Sequence, residues 1–186
     1  MTKIAIFASG SGSNAENIMQ YFHGVAGVEI VLVLSNNTEA FVLERAEKNS
    51  VPTFTFSKEM LLNSMKVVDV LLKSNASIII LAGFLLKIPV SLVKLFPNRI
   101  VNIHPALLPK YGGKGMYGMN VHRAVVRNNE KESGITIHYV NEQYDEGDYI
   151  FQASCDVLSS DSPEIVQQKV QELEIIHFPT IIESIL

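Results

Sequence analysis

Lys3-Ile4-Ala5-Ile6-Phe7-Ala8 runs directly into Ser9-Gly10-Ser11-Gly12-Ser13-Asn14, and a helical pattern from Ala15 to Phe22 follows. A buried strand, a Gly/Ser loop and a helix in that order make an anion site. The N–H groups of the loop and the N-terminus of the helix converge on one spot. Glycines at 10 and 12 permit left-handed backbone angles and close approach of a ligand. The third glycine of the dinucleotide fingerprint is missing, and no Lys follows Gly12 as in a P-loop. The loop therefore reads as a phosphate site rather than a dinucleotide site. The plainer alternative is a strand–helix turn capped by Ser13 or Asn14.

The same alternation continues along the chain. Strands are read at Glu29–Leu34, Thr53–Phe56, Ser77–Leu81 and Ile100–His104, with helices at Ala40–Asn49, Lys58–Ser74 and Pro89–Phe96 between them. In the helix over 58–74, capped by Ser57, residues Met60, Leu61, Met65, Val68, Leu71 and Leu72 fall near one face. Strands alternating with helices imply βαβ units, hence an α/β, Rossmann-like fold with a mostly parallel, doubly wound sheet. A helix at Val121–Asn129 and strands at Gly134–Val140 and Tyr149–Val157 follow, the last two as a C-terminal antiparallel pair. Ser160 to Pro163 caps the last helix, with Pro163 at a favoured first position, and Pro179 is expected to kink or interrupt it. One domain, 1–186, is expected.

Composition narrows the function. The chain has 186 residues, 47% of them hydrophobic, and a formal charge of −4. That balance argues against a general nucleic-acid or anionic-membrane surface. The single Cys155, read as a buried strand residue, excludes an internal disulfide framework and a multi-cysteine metal site. No apolar run approaches the ~20 residues of a membrane span. No secretory leader is read, and a cytoplasmic protein is expected.

In such sheets ligands bind at the carboxyl ends of the strands. The Ser9–Asn14 loop, the Gly83–Ile88 loop and the end of the strand Ile100-Val101-Asn102-Ile103-His104 are all expected there. Asn102 and His104 project to one side of that strand, because strand side chains alternate. An amide donor beside an imidazole can work on a carbonyl; the alternative is a polar pair exposed at a strand end. The long Gly-rich segment Pro105–Asn120 reads as a lid or binding loop.

Several segments together resemble the phosphoribosylglycinamide formyltransferases. They are Ser9-Gly10-Ser11-Gly12-Ser13-Asn14, Ser35-Asn36 with Leu43-Glu44-Arg45-Ala46, Leu81-Ala82-Gly83-Phe84, Asn102-Ile103-His104-Pro105 with Leu107-Leu108-Pro109-Lys110-Tyr111, Asp145 with Gly147, and Glu174 with Pro179. They span nearly the whole chain. The resemblance implies a single formyltransferase domain with the formyltransferase fold. It implies transfer of a formyl group from 10-formyltetrahydrofolate to the amine of 5-phosphoribosylglycinamide in purine biosynthesis.

On that resemblance Asn102, His104 and Asp145 are the catalytic set. Asn102 donates to the oxyanion, His104 donates to it or shuttles the proton, and Asp145 holds the imidazole or an ordered water. Gly12, Ser13 and Asn14 cradle the ribonucleotide phosphate, and Glu174 binds the glycinamide amine or the ribose. The folate pocket is implied at Met60, Leu85, Leu86, Lys87, Ile88, Val93, Asn102, Asn141, Glu142 and Asp145. Lys110 and Lys114 read either as cations toward the folate glutamate tail or as ordinary soluble loop residues. No metal is implied. The partners are small molecules only, without nucleic acid or membrane, and the chain is expected as a monomer or weak homodimer. A cis Leu108–Pro109 peptide is also implied. The alternative is another folate-dependent formyltransferase or a formyltetrahydrofolate hydrolase. This sequence departs from the family pattern at Leu85-Leu86, where Met-Arg is frequent, and near Met60, where an Arg is usual and Lys58 is the nearest cation. It departs again at Ala106, where Ser is usual, and in the longer segment Gly113–Met119.

Overall fold

The computed structural model describes residues 1–186. Seven strands form one sheet in the order β3-β2-β1-β4-β5-β6-β7. They are β1 (Thr2–Phe7), β2 (Val28–Ser35), β3 (Thr53–Thr55), β4 (Ile78–Leu81), β5 (Ile100–His104), β6 (Glu132–Tyr139) and β7 (Tyr149–Asp156). The helices are α1 (Ser13–Tyr21), α2 (Val42–Lys48), α3 (Lys58–Asn63), α4 (Lys66–Lys73), α5 (Val90–Leu95), α6 (Met119–Arg127) and α7 (Pro163–Ser184). β1 pairs in parallel with β2 and β4, β2 in parallel with β3, and β6 is antiparallel to β7. The expected α/β class and C-terminal antiparallel pair are both present.

The chain forms two compact units, Met1–Val101 with Leu186, and Asn102–Ile185. In the first, β1 and β4 are buried almost throughout, which is why Ile4-Ala5-Ile6-Phe7 and Ile78-Ile79-Ile80-Leu81 read as continuous apolar runs. Each fully buried Ile or Phe contributes roughly 1.5–3 kcal/mol of transfer free energy. Phe7, Phe56 and Phe84 pack edge-on or tilted against one another beneath the strand ends. In the second unit Ile135 and Ile137 of β6 and Val166, Val170, Phe178 and Ile182 of α7 are buried.

Three expectations are corrected. The single helix over 58–74 is two, α3 and α4. Ser64 adopts an extended backbone, its hydroxyl donates to the Met60 carbonyl at 2.8 Å and it accepts the Lys66 N–H at 3.3 Å. That side chain closes one helix and opens the next, as serine does when it competes with the backbone ladder. Ser57 does cap α3, accepting from the Met60 N–H, but Met65 and Leu72 are 61% and 53% exposed rather than part of an apolar face. At the first helix neither Ser13 nor Asn14 is the cap: both lie inside α1, and the cap is Gly12, in the left-handed region at φ 74°. Finally, Pro179 does not interrupt α7, which runs on through it and is capped at Ser162 with Pro163 in its first turn. Cys155 is half-buried on β7, with burial raising its thiol pKa.

Candidate active site

In the first unit the loop after β1 is shaped by where its carbonyls go. Gly10 O accepts the Val42 N–H at 3.2 Å, Ser11 O accepts Arg45 Nε at 2.9 Å, and Gly12 O accepts the Glu16 N–H at 2.8 Å. The three carbonyls are thus all taken up by α2 and α1. A Cβ on Gly12 would collide with the Val42 side chain, so only glycine fits. Arg45 ties this arrangement down: besides Ser11 it pairs with Glu16 and stacks 4.8 Å above Phe41. Ser13 is exposed and Asn14 is buried on the first turn of α1.

Ser9 joins this loop to its neighbours. Its hydroxyl donates to Asn36 Oδ1 at 2.6 Å and accepts the Leu85 N–H at 3.0 Å, while its own N–H reaches Gly83 O. The loops after β1 and β4 therefore meet at the β1/β4 boundary, the switch point of the strand order, where open α/β sheets bind ligands. Of the residues implied for folate in this unit, Leu85 is 49% exposed, Lys87 is exposed, and Met60, Leu86 and Val93 are half-buried. Ile88 is buried. The sequence reading names Ser9 only as part of a motif and gives Arg45 no role, because neither type is diagnostic without its partners.

In the second unit a polar cluster surrounds the end of β5. His104 is 4% exposed and His138, on β6, 2%. His104 Nε2 lies 2.7 Å from the carbonyl oxygen of Tyr111. A carbonyl only accepts, so Nε2 carries a proton. Nδ1 faces Asp145 Oδ2 at 3.6 Å, longer than a hydrogen bond. The Gly113 N–H donates to the same Asp145 oxygen at 2.8 Å. His138 donates from Nδ1 to Tyr139 O at 2.9 Å, and its Nε2 accepts from the Asn102 amide at 3.1 Å. Burial, more than any neighbour, lowers the His138 pKa, so its imidazole stays neutral and Nε2 remains an acceptor.

The structure thus brings Asn102, His104 and Asp145 into one cluster with His138 between Asn102 and Asp145, whose Oδ1 is 3.7 Å from His138 Nε2. Thr136 fixes the chain that leaves β5: its hydroxyl donates to Ala106 O at 2.7 Å and accepts the Leu108 N–H at 3.0 Å. The Leu108–Pro109 peptide is cis, as the resemblance implies. Asp145 and Tyr111 both have positive φ, 56° and 58°, a region that Asp tolerates and that is uncommon for a side chain as bulky as Tyr. Asn141 and Glu142 are exposed in the turn before Asp145, and Glu174 is half-buried on α7. Lys110 is exposed and pairs with Glu130 at 3.2 Å. No group of three or more His, Cys, Asp or Glu side chains is arranged to hold a metal ion. No helix is long and apolar enough to cross a membrane.

A neutral imidazole, an amide donor, a carboxylate and a second imidazole around the end of β5 are the side chains that polarising a carbonyl and moving a proton require. The comparisons give the chain its family. The formyl transferase family model matches residues 2–182. The chain is 32% identical to the phosphoribosylglycinamide formyltransferase of Bacillus subtilis, covering 100% of this chain and 95% of the relative. It is 42% identical over 174 residues to the chloroplastic enzyme of that name from Arabidopsis thaliana, and spans 60% of that relative's length. The crystal structure of glycinamide ribonucleotide transformylase 1 from Geobacillus kaustophilus superposes with a TM-score of 0.90 at 30% identity, covering 100% of this chain and 99% of that one. The chain belongs to the formyl transferase family.

Proposed function

We propose that this chain transfers a formyl group from 10-formyltetrahydrofolate to the primary amine of 5-phosphoribosylglycinamide, a step of purine biosynthesis. The observation that carries the reading is the Asn102–His104–Asp145 cluster, in a chain that shares its family with enzymes of that name. We take residues 1–186 to act as one formyltransferase domain, consistent with a single family model over nearly all of it.

The folate supplies the formyl carbon, and this chain's residues handle charge and protons. The amine attacks that carbon, a C–N bond forms, and the carbonyl oxygen becomes an oxyanion. The Asn102 amide has two N–H groups; one is held by His138, and the other is the donor for the oxyanion. The amine then loses a proton, and the folate nitrogen gains one as its bond to the carbon breaks. His104 Nε2–H is engaged by Tyr111, so Nδ1, facing Asp145, is the nitrogen that takes and returns the proton. This sharpens the role of His104 to proton transfer and leaves the oxyanion to Asn102.

The phosphate of the acceptor goes to Gly12, Ser13 and Asn14, supported by the inward-turned carbonyls of that loop. Glu174 serves the amine or ribose. The half-exposed Leu85, with Leu86, Lys87, Ile88, Met60 and Val93, and the turn carrying Asn141 and Glu142, serve the folate. The test is a formyl-transfer assay with 10-formyltetrahydrofolate as donor and glycinamide ribonucleotide, tRNA and water as competing acceptors. Glycinamide ribonucleotide is the expected acceptor. His104→Ala and Asp145→Asn are each expected to lower kcat by roughly 10²–10⁴ while the fold persists. Near-normal turnover in either variant would sink the assignment.

A further inference from the structure

Tyr111 has no part in the set described so far, yet it touches that set through its backbone. Its carbonyl oxygen receives His104 Nε2–H at 2.7 Å, and two residues later the Gly113 N–H donates to Asp145. One short turn therefore grips both members of the His–Asp pair. That turn is poorly determined by its own sequence. Tyr111 sits in the left-handed region, φ 58°, and is followed by Gly112 and Gly113, the second at φ 90°. A bulky L residue does not rest there unless contacts elsewhere impose it.

Those contacts are at the far end of its side chain. The Tyr111 hydroxyl donates to Glu130 Oε1 at 2.9 Å and accepts from Asn128 Nδ2 at 2.8 Å. Lys110 Nζ holds the same carboxylate from the exposed side. Phenol and ammonium together lower the Glu130 pKa, so it is an ionised acceptor across the neutral range. Glu130 and Asn128 follow α6 directly, and Asn128 is its C-cap. The end of a helix thus clamps a phenol ring whose peptide holds the catalytic imidazole. A Cβ on Gly112 would meet Leu108 Cδ2 at 2.6 Å and Asp145 Cβ at 3.4 Å, so a side chain there would require Leu108 to move.

We propose that Tyr111 is a positioning residue: its phenol, clamped by Glu130 and Asn128, holds its carbonyl where it dictates that Nε2 of His104 keeps a proton and Nδ1 does the work. This rests on the formyl-transfer reading of His104 only where turnover is measured; the ring's protonation pattern is read independently. Tyr111→Phe removes the hydroxyl and leaves the ring. Glu130→Gln keeps an acceptor for the phenol and serves as the conservative rescue.

The experiment is long-range 1H–15N spectroscopy of the histidine rings in the full chain, beside steady-state kinetics. In the unsubstituted protein His104 is expected with Nε2 protonated. In Tyr111→Phe its ring nitrogens move toward the averaged values of a freely exchanging imidazole. There kcat falls about tenfold, the pH midpoint of kcat moves, and KM for both substrates changes less than about twofold. Glu130→Gln stays near the parent in both readouts. Unchanged His104 nitrogens and kcat in Tyr111→Phe overturn the proposal, as does an unsubstituted protein whose His104 carries its only proton on Nδ1. Absent formyl transfer in the parent, with nitrogens that respond as described, overturns the functional reading and leaves the positioning role standing.

Discussion

The side-chain amide nitrogen of Asn102 stands 3.1 Å from Nε2 of His138. Since His138 donates from Nδ1 to Tyr139 O, its Nε2 can only accept while the ring is neutral, so the amide of Asn102 cannot flip without losing the bond. Asn102→Ala is expected to lower kcat by about 10²–10³, the usual loss of one oxyanion donor. His138→Ala removes only the orientation and is expected to cost about tenfold. Because both act through one amide, the double variant should be little worse than Asn102→Ala alone. Steady-state kinetics of the three proteins check this; additive losses would give His138 a separate role.

Gly147 lies behind the turn that carries Asp145. A Cβ at this position would run into the Tyr139 carbonyl, which also receives the His138 Nδ1–H. Backbone on both sides leaves nothing flexible to yield. Gly147→Ala is therefore expected to displace Asp145 and His138 together. Stability should fall by about 1–3 kcal/mol in chemical denaturation, with kcat falling by about 10²-fold. Wild-type kcat in a stable Gly147→Ala protein would show that the turn can shift without moving the carboxylate.

What the sequence made legible follows from which signals are local. β5 is read with the bounds it has, because Ile100-Val101-Asn102-Ile103-His104 is apolar on one side and ends at Pro105. The loop after β1 is read from its glycines, and the structure shows why Gly12 is one: it is a close approach to Val42, a residue thirty positions on, which composition could not reveal. The α3/α4 break was hidden because Ser64 reads as an ordinary exposed helix residue until its hydroxyl takes the Met60 carbonyl. Tyr111 and Glu130 were hidden for a different reason. Their roles depend on a left-handed backbone and a contact nineteen residues apart, and neither leaves a periodic trace.

Arg45 supports the loop after β1 by geometry as well as charge. Nε donates to Ser11 O while the guanidinium pairs with Glu16 and stacks on Phe41. A lysine carries the charge but has no Nε and no planar face. Arg45→Lys is expected to raise KM for the phosphate-bearing substrate by about tenfold and leave kcat at saturation within about twofold. A shift in kcat with unchanged KM would place the influence of Arg45 elsewhere.

His122 gives the protein an acid limb. It is buried on α6, and its Nδ1 has no hydrogen-bond partner. Burial first, and then the nearby His104 charge, push its pKa down from 6.5 to about 4. The folded value lies below the unfolded one, so on acidification the unfolded chain takes the proton first. Stability from keeping this ring neutral is whole above pH 6.5 and drains away as the pH falls toward 4. His138 is lowered in the same direction and adds to the loss. Asp161 beside Lys169, and Glu130 under Tyr111 and Lys110, have depressed carboxylate pKa values; they lose their contributions at still lower pH, equally with or without His122. His122→Leu removes the ring and its unpaired nitrogen. Urea midpoints measured between about pH 7 and about pH 4.5 should then fall less steeply in His122→Leu than in the parent. Parallel slopes would mean that His122 takes up its proton in the folded protein as readily as in the unfolded chain.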